Sequence, residues 1–232
     1  MNRRTFLGLS AAAVAAGAAA CSTEVRSMPT AARTDQAPTG PALRTDWSRH
    51  PVGPLPATGD EGVPLEVTNL GVPATPDVRT GGAVGNLDGA GAVYLTQPLG
   101  RPVRTIGARF ALGPGDPTAA SLCLATWTAR PVSDTNCHFV IGATRWIFGV
   151  ARGTTLTPLR NGPLDLPQDG SPHQVSIDLD GGPSVVIHLP DGTTATVTDP
   201  AVADVRGTIP GWEFFSLRPG GPVVTLVESW AS

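Results

Sequence analysis

The chain has 232 residues, 16 basic and 19 acidic side chains and a formal net charge of −3. Every basic residue is arginine, none is lysine, and no arginine cluster interleaves with aromatics, so the footprint of a nucleic-acid binder is missing. Beyond the N-terminal stretch no segment approaches the ~20 successive apolar residues that a helical membrane span requires.

In chain order, the first feature is Arg3-Arg4-Thr5-Phe6-Leu7, followed by an Ala/Gly-rich apolar run and Cys21. This stretch resembles a twin-arginine export signal, which a translocase reads and a peptidase then removes. Together with the exclusive use of arginine, which is typical of high-GC genomes, it suggests an actinobacterial source. Ala18-Ala19-Ala20-Cys21 resembles a bacterial lipobox, whose cysteine carries diacylglycerol after cleavage; Ala18-x-Ala20 also satisfies ordinary signal peptidase. Lipidation of Cys21 is the favoured reading. Residues 21–45 are rich in Thr, Ala, Pro and charge without periodicity, as in a flexible tether. The expected organisation is therefore a signal peptide over 1–20, a lipidated tether over 21–45 and a globular domain over 46–232. The expected location is extracytoplasmic, with the lipid holding the protein to the cell membrane.

From Asp46 onward short β-branched and apolar runs alternate with Gly, Pro and Asp-Gly. They predict strands near residues 65–68, 92–96, 105–112, 121–127, 137–141, 146–151, 174–179, 184–189, 194–198, 212–217 and 223–230. A helical turn fits only around 199–205. Such a series implies an all-β antiparallel sandwich. Cys123 and Cys137 flank a polar loop; a hairpin centred near Arg130 sets them opposite each other on one face, and an oxidising compartment then predicts a disulfide. These two cysteines with His138 do not complete a recognisable metal-ligand spacing. Asp180-Gly181 and Asp191-Gly192 predict two-residue hairpin turns. That register places Val186 on the face of Val175, Ile177 and Leu179, and leaves the central strand covered on both sides or shifted by a bulge. His188 is expected to be a buried, satisfied histidine.

The segment Asp169-Gly170-Ser171-Pro172-His173-Gln174-Val175 resembles the Asp-Gly-x-Trp-His-x-Val strand of laminin-G and concanavalin-A-like lectin/glucanase domains, with Pro172 in place of the Trp. The resemblance extends over about Asp46 to Ser232. It implies a two-sheet antiparallel jelly roll with one concave sheet, and makes His173 a structural residue at a strand start. Domains of this kind include both binders and hydrolases. The Glu-x-Asp-x-x-Glu strand of laminarinase-like hydrolases and the Arg-x-Glu-Leu and Gln-x-His strands of alginate-lyase relatives are absent from this sequence.

No catalytic residue is therefore assigned. Glu213 and Glu228, each beside an aromatic, are the weak acid–base candidates. Trp127, Trp146 and Trp212 are candidate stacking platforms for sugar rings, with His138 and Arg145 as hydrogen-bond donors; core packing is the alternative for each tryptophan. Asn86-Leu87-Asp88-Gly89 offers oxygen ligands of the kind calcium takes, but a turn explains the same residues, so no metal is assigned. No nucleotide, flavin, haem or iron–sulfur motif appears, and no cofactor is expected. The leading expectation is a non-catalytic module that binds a cell-envelope glycan. A hydrolase or lyase with an atypical carboxylate pair, and a scaffold for an envelope protein, are the alternatives.

Overall fold

Alternation of apolar and polar residues organises the chain into antiparallel strands whose buried faces meet. The computed structural model describes residues 43–232 apart from 72, 130, 132–134, 154, 180 and 204. The expected signal, Cys21, nearly all of the tether, and Arg130 and Asp180 lie outside the described residues. The strands are β1 (Leu43–Asp46), β2 (Gly53–Pro54), β3 (Glu66–Gly71), β4 (Asp77–Arg79), β5 (Gly82–Val84), β6 (Gly91–Thr96), β7 (Thr105–Leu112) and β8 (Ala120–Trp127). They continue as β9 (Thr135–Ile141), β10 (Arg145–Arg152), β11 (Thr155–Pro163), β12 (Pro172–Leu179), β13 (Ser184–His188), β14 (Thr194–Thr198), β15 (Ile209–Ser216) and β16 (Val224–Ala231).

Two sheets result. One runs β14-β13-β12-β7-β16-β5-β4-β2, with β1 also pairing β16; the other runs β11-β10-β9-β8-β15-β6-β3. All strand pairs among the described residues are antiparallel; β8–β9 and β12–β13 are hairpins with the short connections that antiparallel neighbours allow. Ile106, Phe110, Ile177 and Ile187 of the first sheet and Leu124, Phe139, Phe148 and Trp212 of the second belong to one continuous buried cluster. Trp212 also crosses between the sheets, because its Nε1 donates to the Gly107 carbonyl of β7 at 2.9 Å. Trp47, in a 3-10 turn after β1, donates to Ser229 Oγ at 3.0 Å. Both indoles are fully buried. Burial of a Trp removes ~150–250 Å² from water, or about 4–6 kcal/mol as an upper bound.

The Asp169–Val175 segment forms a tight turn into a strand. Asp169 Oδ1 accepts from the Ser171 N–H and hydroxyl at 2.9 and 2.6 Å, Gly170 takes a φ of +83°, and the turn delivers Pro172 as the first residue of β12. Proline is tolerated there because a strand's first residue can do without its N–H. His173 stands at the strand start, its Nε2 3.2 Å from the Pro167 carbonyl and its ring against Phe110.

The expected disulfide is not formed: Cys123 and Cys137 are both free and buried. In the β8–β9 pair Cys123 faces Val140, and Cys137 faces Thr126, so the hairpin is offset by three residues from one centred on Arg130. An odd offset reverses the side of every residue. Cys137 therefore joins the core with Phe139, while Cys123 points outward.

A similar parity error affects Val186. Leu179 pairs with Val185 with five residues between them instead of two, so Val185 and Ile187 enter the core while Val186 faces out beside Asp178. The Asp191-Gly192 turn carries one more residue than expected; Leu189 N–H reaches the Thr193 carbonyl at 2.9 Å around Pro190-Asp191-Gly192. His188 is satisfied by Asp178 Oδ2 at 2.9 Å, but on the half-exposed outer face. The domain also takes in Leu43–Thr45 as part of β1, ahead of the expected start.

Replacement of Trp212 by Phe is expected to lower the unfolding free energy by about 1–3 kcal/mol in urea titration, through loss of a buried hydrogen bond. A change within experimental error contradicts the cross-sheet role. Alkylation of the unfolded, unreduced protein is expected to label Cys123 and Cys137 completely; recovery of a linked peptide pair contradicts the register above.

Candidate functional site

The outer face of the seven-stranded sheet carries small residues beneath larger ones. One row across it reads Thr96, Gly211, Ala125, His138 and Gly149; the next reads Tyr94, Glu213, Cys123, Val140 and Ile147. Trp127 lies over Gly211, where a Cβ would come within 2.3 Å of its ring. Tyr94 meets the same indole edge-on with ring centroids 5.5 Å apart. Ala92, Tyr94, Ala125 and Trp127 form a second buried cluster, separate from the core between the sheets.

Glu213 sits within this layer, and only 3% of it is exposed. The Tyr94 phenol and the Cys123 thiol lie close enough to its carboxylate to feel its charge. Burial pushes the pKa of the phenol and of the thiol upward, and the neighbouring Glu213 charge adds to each shift. Glu213 Oε2 lies 3.2 Å from His138 Nε2 but off the ring N–H axis, and so has no directed hydrogen bond. Asn136 faces His138 Nδ1 at 3.2 Å. The amide orientation that pairs every group sets its nitrogen against Nδ1 and the Cys137 carbonyl, and its oxygen against Trp127 Nε1 at 3.2 Å.

The residues expected to bind sugar divide between two environments. Trp146 and Trp212 point into the core, the packing alternative noted for each. Trp127 and His138 share the outer face of the seven-stranded sheet, though Trp127 is only 1% exposed and offers no free ring face. Arg145 begins β10 opposite Pro163, half-buried, toward one end of that face. Glu213 and Glu228 are not brought together, because β15 and β16 belong to different sheets. Glu228 instead pairs with Arg44 on the outside of the nine-stranded sheet. Tyr94 and Cys123, which sequence reasoning left out of the site, complete the cluster around Glu213. Only the register of four strands discloses them.

A cavity of about 420 Å³ opens at one end of the sandwich, between the β5–β6 and β15–β16 connections. Arg79, Asn86, Asp88, Phe215, Arg218 and Val223 are among the residues lining it. Two guanidinium groups are held in place here. Arg218 Nη2 donates to Asp116 Oδ2 at 2.6 Å and to Thr118 Oγ1 at 2.7 Å; Arg79 reaches Asp77 Oδ1 at 3.1 Å and the Asn86 side chain. The Thr118 backbone N–H, then Arg218 and the Thr118 hydroxyl, hold the Asp116 carboxyl down to about 2. Asn86 occupies left-handed backbone at φ +52° and its side chain donates to the Thr75 carbonyl at 2.7 Å; residues 86–89 form a loop that bends at Asp88 and Gly89. Asp88 is exposed, and Val223 presents an apolar edge at 51% exposure.

No family model matches the chain, and no curated protein matches it in sequence. Solved structures do. The carbohydrate-binding module CBM66 from Bacillus subtilis is similar at 12% identity over 72% of this chain and 95% of its own, with a TM-score of 0.53. Apo Crh5 transglycosylase is similar at 12% identity over 82% of this chain and 83% of its own, with a TM-score of 0.56. The Ca2+-bound exoplasmic/lumenal domain of VIP36 is similar at 10% identity over 82% and 88%, with a TM-score of 0.54. At such identities the likeness establishes the fold: an all-β, two-sheet antiparallel jelly-roll sandwich of the concanavalin-A-like kind.

Proposed function

We propose that this chain is an exported, lipid-anchored carbohydrate-binding protein, and that the cavity at the end of its sandwich holds the sugar. The observation that carries this reading is the chemistry of the cavity. Sugars present paired hydroxyls on a ring with an apolar face; they are bound by planar polar groups beside an apolar surface. The cavity supplies two restrained guanidinium forks, an amide and a carboxylate around Phe215 and Val223. Its volume lies in the size class of small-molecule sites. Support also comes from the company of the fold, since CBM66 is a carbohydrate-binding module and VIP36 has been solved in Man-bound and Man3GlcNAc-bound forms.

A cell-envelope glycan is the proposed ligand. A lipid on Cys21 and a short tether would keep the module beside the wall, raising the local concentration of polymer and binder toward each other. The proposed role needs no catalytic group, and the separation of Glu213 from Glu228 removes the pair on which a hydrolase reading rested.

Calorimetric titration of the full chain with envelope glycans is expected to show saturable binding without release of reducing ends. Asp88→Asn and Arg218→Ala are each expected to weaken it by about tenfold, equivalent to one charge-assisted hydrogen bond. Binding that ignores both substitutions contradicts the site; released reducing ends contradict the non-catalytic role.

The pH dependence has a defined sign. The folded Asp116 carboxyl titrates near 2, below the ordinary ~3.9 of an unfolded chain. The Asp116–Arg218 anchor is therefore complete above about pH 4 and fades as pH falls through about 2. Side-chain carboxyl NMR is expected to place the Asp116 midpoint near 2; an ordinary midpoint contradicts the anchor.

A further inference from the structure

Three strands of the seven-stranded sheet bring a sulfur, an imidazole nitrogen and a carboxylate oxygen to one place. The ligating atoms of Cys123 (β8), His138 (β9) and Glu213 (β15) all lie within 4.8 Å of one another. Glu213 Oε2 is buried with no hydrogen-bond partner and faces His138 Nε2 at 3.2 Å. A buried carboxylate oxygen left without a partner is costly, and such an atom calls for an explanation. An unpartnered carboxylate oxygen and an imidazole nitrogen 3.2 Å apart have the spacing of adjacent ligands on one ion. Tetrahedral bonds of about 2.0–2.3 Å set ligand atoms roughly 3.2–3.6 Å apart.

We infer that Cys123 Sγ, His138 Nε2 and Glu213 Oε2 form a binding site for a divalent transition metal of borderline softness, with zinc the best fit. The mixed sulfur, nitrogen and oxygen set disfavours calcium and magnesium, which take six or more oxygens, and three protein ligands leave a fourth position for water. Binding draws the three atoms together by roughly an ångström and releases one proton, that of the Cys123 thiol. The Nε2 proton of His138 moves to Nδ1 as the metal takes its place. Asn136 then turns its amide oxygen to accept that proton, giving up its bond to Trp127 Nε1. Asn136 is a positioning residue in this scheme, holding the imidazole for the ion. The site is independent of the end cavity and of the sugar reading.

The test uses the full chain with Cys21→Ser, so that Cys123 and Cys137 are the only sulfurs of cysteine left, titrated with Co2+ and then displaced by Zn2+. The expected result is a sulfur-to-cobalt charge-transfer band that saturates at one ion per chain. Cys137→Ser is expected to leave it unchanged, because that thiol lies on the other face of the sheet. Cys123→Ser is expected to abolish the band, and Asn136→Ala to weaken affinity by about 10–100-fold. Should the Cys123→Ser protein fail to fold by circular dichroism, His138→Gln decides, with an expected loss of about tenfold or more in cobalt affinity. No band at excess Co2+, a band that survives Cys123→Ser, or full affinity in His138→Gln overturns the inference; the cluster is then a buried carboxylate only.

Discussion

The structure depends on the closure of two apolar sheet faces against each other. Neither sheet is stable alone, since each would leave a face of Ile, Leu, Phe and Val in water. Trp212 shows how the closure is fixed as well as driven. Its indole fills the space between the sheets while its N–H reaches the Gly107 carbonyl on the far side. Hydrophobic burial supplies most of the free energy without direction, and this hydrogen bond sets how β15 lies over β7. Once β15 is fixed, the outward-facing Glu213 is fixed too, because alternate residues of one strand serve the two faces.

Strands rich in buried apolar residues were the legible ones, whether covered on one face like β14 or on both like β7. β7 and β14 fall on the residues where the apolar runs predict them, and most other core strands agree to within two or three residues. β11 escaped because it is an edge strand containing Pro158, Gly162 and Pro163, largely exposed, with no apolar alternation to mark it. β1, β2, β4 and β5 escaped for brevity. Turn length was the more consequential difficulty. An error of an odd number of residues in two hairpins moved Val186 outward and separated Cys123 from Cys137, although the strands themselves had been located.

The candidate site was legible only in part, and for a related reason. Residue types pointed to His138, Trp127 and Glu213, which do share a sheet face. Tryptophan content alone could not distinguish that face from the core, where Trp146 and Trp212 went. Tyr94 and Cys123 carry no signal until four strands are in register. The end cavity is built from turns, and Asn86, Asp88 and Arg218 read in sequence as ordinary loop residues. The small side chains at Gly211 and Ala125 matter equally, for they let Trp127 pack down over the sheet with Tyr94 against it and shut water away from Glu213.

The central claim is that the end cavity, and not a sheet face, receives the sugar. The most direct measurement is chemical-shift mapping of the isotopically labelled protein during titration with a binding glycan fragment. The account predicts that the shifts concentrate on the side chains of Arg79, Asn86 and Arg218 and on the methyl groups of Val223. Shifts confined to the outer face of either sheet, with the cavity residues silent, would contradict it.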